Sequence, residues 1–401
     1  MSLMPLEEAY RRVLAGAEPV PRTERVGLRQ ASGRVLAEAV IAQRTQPGFN
    51  ASAMDGYAIK AANAEAGSYL NVIGESAAGK GFSGRIEDSQ TVRIFTGAPV
   101  PEGADTVLIQ ENAELVEAST IKVTEAPARG AHIRLAGVDF AEGQTLLSAG
   151  TLLSPGSVAL AASGGHPELV VRAKPRVVVL STGDELVLPG EPVGPHQIVA
   201  SNTFGIAALC EAAGAEVIAN ELAPDDEAAI DAVFDQALGA KADIFVTIGG
   251  ASVGDHDLVG KVFAEKGVDL DFWKVAMRPG KPFMAGARDG MRIAGLPGNP
   301  ASSMVAATLF LAPLIRRLAG LADRPLFADG FLAEAMPANG SRADLVRSVI
   351  RPGPDGPLLS PLPRQDSSLL SVYAEADALL LRPVNANPAE AGEPCRFVPL
   401  S

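Results

Sequence analysis

The sequence predicts a multidomain α/β and β protein: a central parallel-sheet α/β domain, an all-β inserted module, a linking domain and a C-terminal β-barrel-like domain. Three observations predict it. Residues 176–319 alternate β-branched runs such as "RVVVLS" and "DIFVTI" with amphipathic stretches such as "TFGIAALCEAAG". Strands alternating with helices of about 10–15 residues mean βαβ units and a sheet buried on both faces. Residues 47–138 instead carry short strands ("GYAI", "YLNVIG", "TVRIFTG", "DTVLIQEN", "STIKVTEA") between glycine, proline and acidic turns, which reads as an all-β module. Beyond "GLADRPLF", runs such as "ALLLRPV" and "CRFVPL" alternate with proline- and glycine-rich turns, as in a small barrel or sandwich.

The resulting division assigns residues 1–20 to an N-terminal helix packing on the α/β domain, 21–46 with 139–173 to the linking domain, and 47–138 to the inserted module. Residues 174–320 form the α/β domain and 321–401 the C-terminal domain. A chain of 401 residues is long enough for several domains that each bury a core. The formal charge of -13, from 34 basic and 47 acidic side chains, disfavours nucleic acid and anionic membranes as partners. No secretory pattern is legible at the start, so a cytoplasmic protein is expected. The longest apolar stretch, Met304 to Ile315, is interrupted by Pro313 and falls short of the roughly 20 residues of a spanning helix, so it reads as a core helix. Two cysteines, Cys210 and Cys395, support neither a disulfide framework nor a thiolate zinc site.

In parallel α/β sheets ligands bind beyond the carboxyl ends of the strands. Three acidic pairs are expected there: Asp184 with Glu185, Asp225 with Asp226, and Asp255 with Asp257. Each alone could cap a helix; together they imply a cation or polar substrate group between them. "GGASVG" has the spelling of a hydrolase nucleophile elbow around Ser252, yet His256 is the only histidine downstream and lies too close to serve as the base of a triad. The same residues suit phosphate: Gly249, Gly250 and Gly254 permit sharp turns and exposed N–H groups, and Ser252 adds a hydroxyl donor. No Walker lysine follows. Lys274, Arg278 and Lys281 surround a Pro-Gly turn as an anion would require, although Lys281 also fits a solvated face. Pro297, Gly298 and Pro300 make a tight turn before a helix N-terminus.

Seven motifs in order, "SAMDGYAI", "TGAPVPEGADTVLIQEN", "GVDF", "VVVLSTGDEL", "GGASVGDHD", "MRPGKP" and "GLPGNPASS", resemble the molybdopterin molybdenumtransferase family, called MoeA in bacteria. The resemblance implies a homodimer that inserts molybdenum from molybdate into adenylylated molybdopterin, hydrolysing the adenylyl phosphoanhydride to give molybdenum cofactor and AMP, with Mg²⁺ assisting. It implies catalytic roles for Asp55, Asp139, Glu185, Asp225 and Asp257, with Glu185, Asp225 and Asp257 as metal ligands. It extends substrate contacts to Thr96, Lys274, Arg278, Pro297 and Pro300, and in the tail to Arg347 and Ser371. Asp55 and Asp139 lie outside the α/β block and are expected to reach the site across the dimer. The chain departs from the family at Ile248, where a hydroxyl is usual, at Arg278, which replaces lysine, and in the tail. Transient contacts with a molybdopterin adenylyltransferase and with acceptor molybdoenzymes are implied as well. The alternatives are the adenylyltransferase itself, which resembles only the α/β block, and a non-catalytic scaffold of the same fold.

Overall fold

In the computed structural model, residues 3–250 and 258–400 are described. Their contacts divide the chain into two compact units, Met1–Thr23 with Arg172–Ser401, and Glu24–Val171.

In the first unit the amphipathic helix α1 (Leu6–Leu14) carries Glu7 and Glu8 in its first turn and Arg11 and Arg12 in its last, which suits the helix dipole. The α/β succession then runs β1 (Arg176–Thr182), α2 (Ser201–Ala212), β2 (Glu216–Ala223), α3 (Glu227–Gly239) and β3 (Ile244–Ile248). It continues through α4 (Leu258–Glu265), β4 (Asp269–Trp273), β5 (Met284–Arg288), β6 (Met291–Leu296) and α5 (Pro300–Leu318). The sheet order is β2-β1-β3-β6-β5-β4. The first four strands are parallel, β5 runs against them, and β4 pairs antiparallel with β5, as the alternating pattern predicts for a mainly parallel sheet.

Why β1 reads as an unbroken apolar run is visible in its packing. Side chains along a strand point alternately to opposite faces. Val177 and Val179 join Leu6, Val13, Ile206, Cys210, Phe310 and Ile315 on one face. Val178 and Leu180 join Ile230, Phe234, Val262 and Phe263 on the other. Both faces are therefore dry. Cys210 is a core residue, and burial pushes its thiol up to about 12.

Helix α5 corrects the expectation that Pro313 interrupts the apolar stretch. It runs through Pro313, and a π-helical turn at Ala307–Leu311 precedes the proline. The wider turn accommodates the missing N–H and the bulk of the ring, which an unbroken α-helix could not. By length and composition α5 could cross a bilayer, but 67% of its apolar window is buried inside the protein. Phe310 stacks on Phe283 with ring centroids 4.4 Å apart.

The C-terminal segment forms the expected barrel. Ala343–Pro352, Pro357–Pro361, Ala328–Leu332, Pro394–Pro399 and Ala378–Arg382 pair in that order, and the last closes on the first. Leu332, Val346, Leu359, Leu380 and Phe397 fill one core, while Leu345, Leu379 and Leu381 join the cluster shared with the α/β sheet. Met277–Arg278 runs parallel to Ala343–Asp344, stitching the two parts of this unit together.

The second unit holds a six-stranded sheet in the order Thr106–Ile109, Gly56–Ile59, Gln90–Ile94, Tyr69–Ser76, Thr120–Val123, Ala113–Glu117. Ala58, Val92 and Val107 face one core and Ile59, Leu70 and Leu108 the other. A separate cluster, around Leu36, Val40, Leu153 and Val171, is built from the segments that flank this sheet in sequence.

Candidate active site

The parallel register brings four strand ends together. Ser181 stands opposite Ile248, Ile248 opposite Leu296, and Thr182 opposite Ala223, so the turns that follow open on the same side. A cleft of about 790 Å³ lies there, lined by Glu185, Asp225, Gly249, Gly250 and the Pro297–Pro300 turn. This is where a ligand is expected in an open α/β sheet.

The acidic pairs turn out to be split between structure and cleft. Asp226 caps α3, its Oδ1 accepting the Ala229 N–H at 2.9 Å. Asp184 Oδ1 accepts the backbone N–H of Asp225 at 3.1 Å, which fixes the turn after β2. The other members, Glu185 and Asp225, line the cleft. In each of these two pairs one carboxylate satisfies a backbone N–H and the other residue lines the cleft. Glu185 and Asp225 are hard oxygen donors of the type a divalent cation takes, although among the described residues no three His, Cys, Asp or Glu side chains converge.

Backbone conformation explains the paired glycines. Gly249 and Gly250 have φ of +90° and +62°. A Cβ on Gly249 would sit 2.9 Å from the Thr182 carbonyl oxygen, and one on Gly250 2.4 Å from Val259 Cγ2. No other residue allows the chain to turn there so close to β1. Ser252, Gly254 and Asp257 lie outside the described residues.

On the next strand end, Pro300 occupies the first turn of α5, where its missing N–H costs nothing. The Ala301 N–H donates to the Ser367 carbonyl at 3.0 Å, so the start of α5 is already partly satisfied from the barrel domain. Ser368 and Leu370 of that segment line the cleft. Ser371, on the short helix Leu370–Glu375, is exposed just beyond them.

Lys274, Arg278 and Lys281 do not line this cleft, whereas Pro282 does. Lys274 has a φ of +85°, a left-handed conformation held by its N–H to the Phe283 carbonyl and its carbonyl to the Met4 N–H. Arg278 pairs with Asp344, which raises its pKa and ties the Pro-Gly turn to the barrel. Arg347 is only 1% exposed and donates to the Leu345 and Asp366 carbonyls at 3.3 Å, with burial lowering its pKa. Its side chain is packed into the protein. Ile248 is 3% exposed, so its side chain belongs to the core.

In the second unit, Asp55 and Thr96 form a tight pair. The Thr96 N–H and hydroxyl both donate to Asp55 Oδ1 at 2.7 Å. These two donors, with Arg93 nearby, hold the carboxyl below the usual carboxylate range. Asp139 is exposed, and its backbone N–H donates to the Gln46 carbonyl at 3.1 Å.

Sequence reasoning missed Thr182, Asn202, Ser368 and Leu370 as cleft residues. Thr182 directly precedes the "GDEL" acidic turn, a usable signal; a lone asparagine opening a helix offers none.

Comparisons with known proteins agree along the chain. Profiles of the MoeA N-terminal region (domain I and II), the "Probable molybdopterin binding domain" and the MoeA C-terminal region (domain IV) match residues 4–165, 178–317 and 329–400. The molybdopterin molybdenumtransferase of Haemophilus influenzae is 39% identical over 318 residues, 79% of this chain and 78% of the relative. That of Bacillus subtilis is 32% identical over 398 residues, 97% of this chain and 92% of the relative. The crystal structure of the molybdopterin biosynthesis MoeA protein of Pyrococcus horikoshii superposes with a TM-score of 0.84 at 27% identity, covering all of both chains. Motifs, fold and comparisons lead to one conclusion: the chain belongs to the molybdopterin molybdenumtransferase (MoeA) family.

Proposed function

We propose that this protein is a transferase of molybdenum cofactor biosynthesis that inserts molybdenum from molybdate into adenylylated molybdopterin and releases AMP. The observation that carries the reading is the joint placement of Glu185, Asp225, Gly249 and the Pro297–Pro300 turn around one cleft. An already adenylylated substrate needs no Walker lysine, and the positive-φ Gly249–Gly250 turn lets a phosphate approach the backbone without a Cβ in the way. Glu185 and Asp225 would hold Mg²⁺, together with Asp257 of the implied ligand set. Bound there, the cation would neutralise phosphate charge.

The chain's own residues supply position and field. Asp184 and Asp226 hold the backbone of the acidic turns in place, which positions Glu185 and Asp225 at the cleft. Pro297 and Pro300 restrict the opposite wall, which favours one orientation of a bound substrate. We further propose a cytoplasmic homodimer, the assembly implied for Asp55 and Asp139. Substrate handover from an adenylyltransferase and delivery to acceptor molybdoenzymes would be transient contacts.

Purified protein given adenylylated molybdopterin, Mg²⁺ and molybdate should release AMP in a molybdate-dependent way. AMP release that ignores molybdate, or an unchanged rate in Glu185→Gln, would overturn the reading.

A further inference from the structure

The cleft contains polar atoms that phosphate and molybdate chemistry do not require. Asn202, in the first turn of α2, donates from Nδ2 to the Gly298 carbonyl at 2.7 Å. The reversed amide would set two carbonyl oxygens against each other, so this contact fixes which end is which. Its Oδ1 is then an acceptor, buried and without a hydrogen-bond partner among the described residues. Thr182 is 6% exposed and its Oγ1 is likewise without a partner. That hydroxyl lies beneath the glycine turn, 3.4 and 3.5 Å from where a Cβ on Gly249 or Gly250 would stand. Both residues line the cleft.

Buried polar groups in native proteins are nearly always paired, to protein, water or ligand, and an orphan that lines a ligand cleft is a candidate contact for the ligand. Phosphate and molybdate oxygens cannot satisfy Asn202 Oδ1, because they too are acceptors. Glu185 and Asp225 add further acceptors to the same cleft. What the Asn202 wall lacks is a donor.

We propose that Asn202 is a specificity-determining residue whose Oδ1 accepts a hydrogen bond from an exocyclic amino group of the substrate's heterocycle, with the Thr182 hydroxyl as a second polar contact. The inference rests on the functional reading above, under which the substrate carries two such rings, a pterin and an adenine. A site that hydrogen-bonds a substrate N–H discriminates sharply against an analogue lacking it, since the analogue leaves the protein acceptor unpaired.

The test is equilibrium binding without molybdate, by calorimetry, on the full chain. One arm compares AMP with inosine monophosphate; the other compares 6-hydroxymethylpterin with its lumazine counterpart, in which an oxygen replaces the 2-amino group. In one arm the amino-bearing ligand should bind about tenfold tighter or more, and Asn202→Ala should bring that ratio to about one. The discriminating arm identifies the ring. Should Asn202→Ala fail to fold, Asn202→Gln displaces the carbonyl by one methylene and carries the same expectation. Equal binding in both arms of the wild type overturns the proposal, as does a ratio that survives substitution, or a change confined to Mg²⁺ half-saturation. Molybdate-dependent AMP release by the wild type is measured in parallel. Its loss would sink the functional reading, whereas intact release without ring discrimination would sink this inference alone.

Discussion

Thr96 grips Asp55 with two donors, its backbone N–H and its hydroxyl, both 2.7 Å from the same carboxylate oxygen. The hold is electrostatic and local: it stabilises the ionised form and pulls the pKa down. Thr96→Val keeps the N–H and removes the hydroxyl, so the Asp55 pKa should rise toward its ordinary value. A depressed carboxyl contributes stability above its unfolded pKa, and that contribution is lost as pH falls through the folded pKa. The variant's acid limb of activity should therefore move to higher pH. A pH–rate profile with NMR titration of Asp55 checks this; an unmoved limb would show that Asp55 ionisation does not govern the reaction.

Splitting of the acidic pairs predicts two classes of variant. Asp226→Ala removes the α3 cap and should cost about 1 kcal/mol in stability. Its activity should stay close to wild type when assayed well below the melting temperature. Glu185→Gln should melt near wild type yet lose on the order of a hundredfold in kcat or more. Thermal denaturation alongside steady-state kinetics separates the classes, and the same phenotype in both would contradict the assignment.

At Gly249 the constraint is backbone geometry. Alanine there would meet the Thr182 carbonyl oxygen at 2.9 Å and occupy a φ of +90°, a conformation costing about 1–2 kcal/mol for a residue with a Cβ. Gly249→Ala should weaken AMP binding more than it lowers the melting temperature, because the turn must shift away from β1. Calorimetry and differential scanning measurements on one preparation would decide; undiminished AMP affinity would remove the glycine turn from the phosphate site.

Buried Arg347 belongs to the barrel's framework in this structure. Arg347→Ala leaves a cavity and abandons two backbone carbonyls, so unfolding free energy should fall by roughly 3 kcal/mol. Chemical denaturation measures it. A loss below about 0.5 kcal/mol, within the range of ordinary surface substitutions, would argue that the side chain swings out to a ligand instead.

Much of the architecture was legible in the sequence, because period and chemistry are local properties of a chain. The uninterrupted β-branched run of β1 announced a strand buried on both faces, and its alternate residues do enter two different cores. Gly249 and Gly250 announced a sharp turn at a strand end, and both take positive φ. Pro313 misled, because whether a proline breaks a helix depends on whether the preceding turn can widen, and the π turn at Ala307–Leu311 is held by core packing.

By itself, then, the sequence determined the fold class, the order of the elements and the acidic and glycine-rich strand ends where chemistry would gather. Only the tertiary structure decided which member of each described acidic pair caps the backbone and which faces the cleft. It also set Arg278 against Asp344, buried Arg347, and left Asn202 Oδ1 without a partner among the described residues. The reason is physical. Local propensity specifies what a residue can do, but the partner that claims its hydrogen bond or charge comes from a distant segment and is assigned only when the sheet register and barrel closure bring the two together.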